Sequence, residues 1–226
     1  MTGGFGAFGK MPSVGDFFRL NPPPGFVSPW DGWLQRAILA AQQALGQDWD
    51  AHYMSAPIWR FALSPGQAGP RKALGVLMPS VDRVGRRFPL TLMAALPTPG
   101  PAPLDHFCET ALFERLEEIA LAALEDTMTQ EGLGRELAAL RVPEFRGSPP
   151  LRQAGASLIL TQAGADGILP DLAAGLLANR MASPSVWSAV VGDVPRLMIC
   201  DGLPEGGDRL GLFHLGAPVW AGARPL

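Results

Sequence analysis

The chain has few cysteines and histidines, the residues that form disulfides and bind metal ions. Its 226 residues include two cysteines, three histidines and two lysines. Cys108 and Cys200 lie far apart and form no C-x-x-C pair, which excludes a disulfide framework and a zinc site of paired cysteines. His52, His106 and His214 are scattered and have none of the spacings that hold a metal ion. We therefore expect a reducing, cytoplasmic setting, with no metal and no cofactor.

Long apolar runs and blocks of positive charge are also missing. The apolar stretches are interrupted by polar residues and fall short of the roughly 18 residues that cross a bilayer. Glycine, proline and aspartate break the N-terminal region, where a secretory signal needs a continuous apolar segment. The net charge is −3, so the counterion release that drives nucleic-acid binding has no basic cluster to produce it. We expect a soluble protein with no membrane insertion and no nucleic-acid partner.

Complete catalytic sets are absent as well. There is no G-x-S-x-G nucleophile elbow. His106 and Cys108 are two residues apart at an expected helix start, which places their side chains on different faces of the helix and not in a nucleophile–base pair. The sequence therefore predicts a protein that is not an enzyme.

What the chain does contain is the composition and patterning of a folded α/β protein. Hydrophobic residues make up 47% and charged residues 17%, which is enough for a sizeable core. Short apolar runs bounded by proline and glycine, at residues 57–63, 72–78 and 88–96, predict an antiparallel meander. Because these runs are almost continuously hydrophobic, we expect both faces of the sheet to be covered.

The clearest helix signal is S-P-W-D. It predicts a helix with Ser28 as the N-cap and Pro29 at the first helical position, where a missing N–H costs nothing. Apolar residues at helical spacing begin with Trp30 and Trp33. Gly46 is the expected stop.

The second half of the chain begins with a proline-rich connection at residues 97–103. This connection either separates two domains or is a loop within one, and we expect a single domain over residues 1–226. The other expected elements are helices at 105–130, 135–140 and 169–179 and strands at 157–161, 186–191 and 197–200. Strands and helices interspersed in this way predict an α/β fold with a mixed, largely covered central sheet.

The stretch GFGAFGKM, residues 4–11, has the G-x-G-x-x-G spacing of a dinucleotide turn and the G-x-x-x-x-G-K spacing of a phosphate loop. Either site requires a strand before the glycines and a helix after them. Too few residues precede Gly4 for such a strand, Pro12 interrupts the segment after the glycines, and Met11 replaces the magnesium-binding hydroxyl. We therefore interpret FGAFG as a strand whose glycines allow a close approach of other backbone.

Two polar clusters stand out from the apolar background. In VGDFFR, residues 14–19, Asp16 lies among phenylalanines. In PSVDRVGRRFP, residues 79–89, an aspartate and three arginines occupy a turn between two expected strands. An aspartate with several arginines either holds a loop rigid by ion pairing, forms a partner-binding surface, or binds a small anion.

Four stretches, in this order and at these spacings, resemble the type VI secretion-associated TagF family, also called ImpM. They are GFGAFGKMPSVGDFFR, FVSPWDGWLQ, APIWRFALSPG and GVLMPSVDRVGRRFPLTL, all between residues 4 and 95. The resemblance thins afterwards, although SPSVWS at 183–188 and DGLPEG at 201–206 are similar to later landmarks of the family.

The resemblance implies a cytoplasmic accessory protein of the type VI secretion apparatus, with a three-layer α/β/α sandwich fold and no enzymatic activity of its own. It implies a post-translational repressor that binds the forkhead-associated (FHA) domain scaffold, alongside or opposite a threonine phosphorylation pathway. The matching motif positions, as candidate interaction or structural residues, are Asp16, Trp30, Asp31, Trp33, Ser80, Asp82, Arg83 and Arg86. The alternative is a small-anion or nucleotide-sensing protein or enzyme that uses the polar cluster of Asp16, Asp82, Arg83 and Arg86.

Overall fold

A large antiparallel sheet runs through the molecule. The computed structural model describes residues 4–144, 151–161 and 167–224. The strands are β1 (Gly6–Gly9), β2 (Phe18–Leu20), β3 (Trp59–Leu63), β4 (Ala73–Met78), β5 (Leu90–Ala95), β6 (Arg152–Ala154), β7 (Ser157–Ile159), β8 (Pro184–Val191) and β9 (Val194–Asp201). The helices are α1 (Val27–Leu45), α2 (Trp49–Ser55), α3 (Ala102–Cys108), α4 (Thr110–Ala122), α5 (Gln130–Ala138), α6 (Ile168–Ala178), α7 (Gly207–Phe213) and α8 (Pro218–Ala221).

Among the described residues, seven strands form the main sheet in the order β2-β1-β5-β4-β3-β8-β9. Its pairings are all antiparallel in this part of the chain. The expectation of a mixed sheet is therefore wrong. Most pairings join consecutive strands through short connections, and a short connection reverses the chain, whereas a parallel pair needs a long crossover.

The expected meander is confirmed as β3, β4 and β5. Strand β3 pairs with β4 from Trp59 opposite Leu77 to Leu63 opposite Ala73. Strand β4 pairs in turn with β5, with Ala73 opposite Ala95. The expected later strands are β8 and β9, which join this meander because β8 pairs with β3. The sheet therefore contains strands from both sides of the proline-rich stretch, and the single-domain expectation stays a prediction.

Both faces of the sheet are covered, because adjacent residues of the central strands enter two different buried clusters. In β3, Phe61 and Leu63 belong to the first cluster and Ala62 to the second. Residues of α1, α2 and α7 complete the first cluster, and residues of α4 and α5 complete the second. The protein is thus of the α/β class, with helices against both sides of one sheet.

Helix α1 begins earlier than its sequence signal indicates. Ser28 lies inside the helix and makes no cap, and the residue before the helix, Phe26, already has helical backbone angles. The amide of Phe26 donates to Pro23 O at 3.1 Å, and the amide of Trp30 donates to Phe26 O at 3.3 Å, so the turn is formed before Ser28. The expected end is confirmed, since Gly46 has a φ of +55°.

The prediction of one long helix at 105–130 is wrong, because two separate helices, α3 and α4, occupy this region. Between them Glu109 has φ −103° and ψ 40°, outside the helical range, although it is neither glycine nor proline. Helix α5 begins earlier than the expected residue 135. Its start follows from Thr129, whose Oγ1 accepts a hydrogen bond from the Gly132 amide at 3.0 Å as an N-cap.

The region after residue 140 is only partly described. The expected strand at 157–161 appears as β7, but it pairs with β6 in a separate two-stranded sheet. The expected helix at 169–179 is confirmed as α6. Within the described ranges, no helix combines the length and apolar character needed to cross a membrane.

A buried ion pair anchors the proline-rich stretch to the sheet. The ammonium of Lys72, directly before β4, contacts the Asp105 carboxylate of α3 and the backbone oxygen of Gly100. Thr98 donates to the other Asp105 oxygen at 3.0 Å. The stretch is thus fixed by charge and hydrogen bonds at both of its ends.

Candidate functional site

The glycine-rich stretch forms β1, as the sequence predicts. A β-carbon added to Gly6 would lie 2.3 Å from Asn21 O, and one added to Gly9 would lie 2.1 Å from Pro89 O. Two of the glycines therefore allow neighbouring backbone to approach. Lys10, which completes the phosphate-loop spacing, is buried against a carboxylate.

That carboxylate belongs to Asp82, which is the centre of the candidate site. Asp82 Oδ2 lies 3.0 Å from Lys10 Nζ and 2.7 Å from Arg86 Nε. Asp82 Oδ1 accepts the amides of Val84 at 3.1 Å and Arg86 at 2.9 Å. Aspartate favours such turns because its short side chain reaches the amides that follow it, and Gly85, with φ +81°, completes the turn.

These contacts keep Asp82 ionised. Burial by itself raises the pKa of the Asp82 carboxyl, but the hydrogen bonds from the Arg86 amide, Lys10, the Arg86 guanidinium and the Val84 amide lower it more. The net result is a pKa well below the usual value of an aspartate. At neutral pH the carboxylate is therefore available to both cations.

The Asp82 turn belongs to a loop at residues 79–89, between β4 and β5, and this loop is fastened to a second one at residues 10–17, between β1 and β2. The Arg86 guanidinium donates to Gly15 O at 2.7 Å and lies 3.8 Å from Asp16 Oδ1. The Arg83 amide donates to Val14 O at 2.9 Å. Together with the Lys10–Asp82 pair, these contacts lock the two loops to each other.

Ser80 lies at the base of the same loop and is held by Tyr53 of α2. The tyrosine hydroxyl donates to Ser80 O at 2.7 Å and accepts from the Ser80 amide at 3.0 Å. Burial raises the pKa of Tyr53 above its usual value, so the hydroxyl keeps its proton. Helix α2 therefore fixes the position from which the Asp82 turn projects.

We expect Tyr53→Phe to lower the free energy of unfolding by about 1–3 kcal/mol, which is the cost of leaving a buried donor unpaired. The Ser80 amide would lose its acceptor, whereas Ser80 O would keep the Phe88 amide, 3.1 Å away. Urea denaturation measures the change. The control is Ser55→Ala, which removes an exposed hydroxyl bonded to Ala51 O from the same helix and should stay within about 0.5 kcal/mol of the wild type. Equal stability of the two variants would contradict this role for Tyr53.

The outer surface of the locked loops combines apolar and cationic side chains. Val84 is 69% exposed and Phe17 48% exposed. The Phe17 ring packs edge-on against Phe88 at 4.7 Å and lies 4.8 Å from Lys10 Nζ. Arg83 is exposed beside Val84. An aromatic ring, an aliphatic side chain and a guanidinium are therefore exposed on the two locked loops.

The other three sequence candidates have different surroundings. Trp30 and Trp33 lie in the core, where their indole N–H groups donate to Thr91 Oγ1 at 2.9 Å and to Pro204 O at 3.0 Å. Asp31 accepts a local hydrogen bond from Gln35 at 2.9 Å. The structure thus brings together Asp16, Ser80, Asp82, Arg83 and Arg86, and it places Trp30, Asp31 and Trp33 elsewhere.

A serine–histidine contact lies outside this site and was not anticipated from the sequence. His106 Nε2 is 2.8 Å from Ser188 Oγ. Burial, with a smaller effect from Arg60, lowers the pKa of His106 to about 3. Within the described residues, its buried Nδ1 has no hydrogen-bond partner to orient the ring. A histidine with so low a pKa is a poor general base at neutral pH.

Sequence reasoning also missed two residues of the site itself, Lys10 and Tyr53. Both come from other elements and reach the loop only through the tertiary fold. The sequence contains one signal that could have pointed to Lys10. Lysine is rare in this chain, whose cationic side chains other than Lys10 and Lys72 are arginines. Both lysines are buried against aspartates.

The fold and the site define an α/β protein in which polar side chains fasten two surface loops and leave an apolar, cationic surface exposed. Residues 6–140 match the model of the TagF N-terminal domain, described as type VI secretion system-associated. The chain therefore belongs to the TagF family. No curated protein matches it.

A solved structure is similar over almost the whole chain. It is the crystal structure of PA0076 from Pseudomonas aeruginosa PAO1, with 31% sequence identity and a TM-score of 0.79. The alignment covers 98% of this chain and 97% of that one. The similarity thus extends beyond the 6–140 segment to the C-terminal strands and helices.

Proposed function

We propose that this chain is a cytoplasmic regulator of type VI secretion that represses the apparatus after translation by binding its FHA-domain scaffold protein. The observation that carries the proposal is the match of residues 6–140 to a domain associated with that secretion system. The repressor role and the scaffold partner follow from the family resemblance of the motifs around Asp16 and Asp82.

A binding role without catalysis is favoured by the way the polar cluster is used. A small anion or nucleotide needs several cations that are turned toward it, whereas Lys10 and Arg86 are both turned toward Asp82, which leaves Arg83, among the described residues, as the unpaired cation of the cluster. Their charges hold the loops together. The exposed groups that remain, including Val84 and Phe17, suit contact with another protein better than the chemistry of a bound substrate.

We also propose that the sheet and the helices on its two sides form the three-layer α/β/α sandwich expected for the family. The support is the pair of buried clusters that separate the sheet from helices on its two sides. In this arrangement the locked loops are presented by strand ends of the sheet, which supplies a rigid base.

The proposed function predicts a direct complex. We expect the purified chain to bind the FHA-domain protein of the same bacterium with a Kd of about micromolar or tighter, equivalent to roughly −8 kcal/mol. An FHA-domain protein unrelated to secretion is the control. Deleting the gene should raise the amount of secreted type VI proteins, and the wild-type gene should restore repression. Absence of a complex together with unchanged secretion in the deletion strain would refute the proposal.

A further inference from the structure

The locked loops also indicate where the partner binds and what its surface is like. We propose that Phe17, Arg83 and Val84 form a docking surface for a carboxylate-rich surface of the protein partner. This inference rests on the proposed function and adds to it the binding site and the chemistry of the occupant.

The first support is the rigidity of the surface. The loop at 79–89 is closed on itself by hydrogen bonds from Asp82 to the amides of Val84 and Arg86. It is tied to the other loop through Gly15 and Val14. A surface that is already ordered loses little conformational entropy when a partner binds.

The second support is the kind of side chain that remains exposed. Val84, at 69% exposure, lies at the tip of a turn where a polar residue would be better solvated. Phe17 presents about half of its ring to solvent while its other contacts, Phe8 and Phe88, are buried. Aromatic and arginine side chains at the centre of a patch are the residues that contribute most to protein interfaces.

The third support is charge, which identifies the occupant. The segment at 79–89 has three arginines and one aspartate, in a chain whose net charge is −3. Lys10 and Arg86 share Asp82, Arg86 also lies 3.8 Å from the exposed Asp16, and Arg87 pairs with Asp50 at 2.9 Å. In the part of the chain that the structure describes, no carboxylate forms an ion pair with Arg83, which leaves its charge uncompensated. An unpaired guanidinium on the surface of a net-negative protein favours an acidic partner.

The test compares binding of the FHA-domain protein to the wild-type chain and to two surface variants, Arg83→Glu and Val84→Glu. Both side chains are exposed, so the fold should be retained, and circular dichroism and melting temperature verify this. Each variant has a control with the same change at a distant exposed site, Arg180→Glu on the loop after α6 and Leu39→Glu on α1. Affinity is measured by calorimetry at two salt concentrations.

We expect Arg83→Glu and Val84→Glu to weaken binding by about tenfold or more, while the controls bind within about twofold of the wild type. Raising salt from about 50 mM to about 500 mM should weaken the wild-type complex more than that of Arg83→Glu, because screening acts on the charge that the variant removes. If the wild type binds and both loop variants bind equally well, the docking surface is wrong but the proposed function stands. If the wild type does not bind, the docking surface and the scaffold partner both fail, and secretion in the deletion strain decides whether the repressor role stands.

A small-anion site is the competing occupant and has a separate readout. The melting temperature of the wild type and of Arg83→Glu is measured with inorganic phosphate and with the same concentration of chloride. The proposal predicts equal shifts for the two proteins. A phosphate-specific rise in the wild type that Arg83→Glu abolishes would assign the surface to small anions and overturn the proposal.

Discussion

Gly9→Ala is expected to lower the free energy of unfolding by about 3 kcal/mol or more, through overpacking and an unfavourable backbone conformation. Gly9 has a φ of +133°, and its added β-carbon would lie 2.1 Å from Pro89 O and 3.0 Å from the Leu90 Cα. Both neighbours are backbone atoms, at the start of the neighbouring strand β5 and at the residue directly before it, so neither can rotate away. For a chain of this size the loss corresponds to a fall in melting temperature on the order of 10 °C.

The control for this change is Gly4→Ala in the same motif. An added β-carbon at Gly4 has no atom within 4 Å, so this variant should stay within about 0.5 kcal/mol of the wild type. Gly6→Ala should behave like Gly9→Ala, because Asn21 O would lie 2.3 Å from its β-carbon. If all three variants are equally stable, the glycines do not have the packing role that the structure gives them.

Lys72→Met is expected to lower the free energy of unfolding by about 3–5 kcal/mol, the cost of leaving one partner of a buried ion pair charged and unpaired. Asp105 would keep the Thr98 hydroxyl but lose the ammonium. Because Gly100 O would also lose its donor, the proline-rich stretch should become more susceptible to proteolysis. Thermal and urea denaturation measure the first effect, and limited proteolysis followed by mass spectrometry measures the second.

A second substitution separates charge from packing at this site. Lys72→Met combined with Asp105→Asn removes the unpaired charge and keeps an acceptor for Thr98, so about half or more of the lost stability should return. The surface control is Arg115→Met, which breaks exposed pairs with Glu118 and Glu136 and should cost less than about 1 kcal/mol. A double variant no more stable than Lys72→Met would show that the lost hydrogen bond to Gly100 O, and not the unpaired charge, accounts for the effect.

The sequence predicts the strands of this fold better than its helix boundaries. The meander of β3, β4 and β5 is predictable because proline and glycine bound each apolar run. The break at Glu109 is not, since glutamate has good helix propensity and only the tertiary fold imposes its backbone angles. The early start of α1 likewise depends on the hydrogen bond from the Phe26 amide to Pro23 O, which the sequence pattern at Ser28 does not indicate.

In the candidate site, too, contacts between residues near each other in sequence are predictable and contacts between distant residues are not. The Asp82 turn with Arg86 is a local pattern, and in the structure the amide and guanidinium of Arg86 donate to the Asp82 carboxylate. Lys10 and Tyr53 reach the turn from other elements, so no spacing in the sequence connects them to it. Trp30 and Trp33 belong to one of the motifs that resemble the family. Helical periodicity nevertheless places them on an apolar stripe, and both are buried.

The burial of both lysines has a consequence for chemistry at the surface. The side chains of Lys10 and Lys72 are 6% and 5% exposed, and the chain has no other lysine. Acetylation and ubiquitin conjugation, which act on ε-amino groups, therefore have no accessible lysine on the folded protein. Amine-reactive cross-linkers likewise find no accessible lysine side chain, so reagents directed at carboxylates or arginines reach more positions for mapping its complexes.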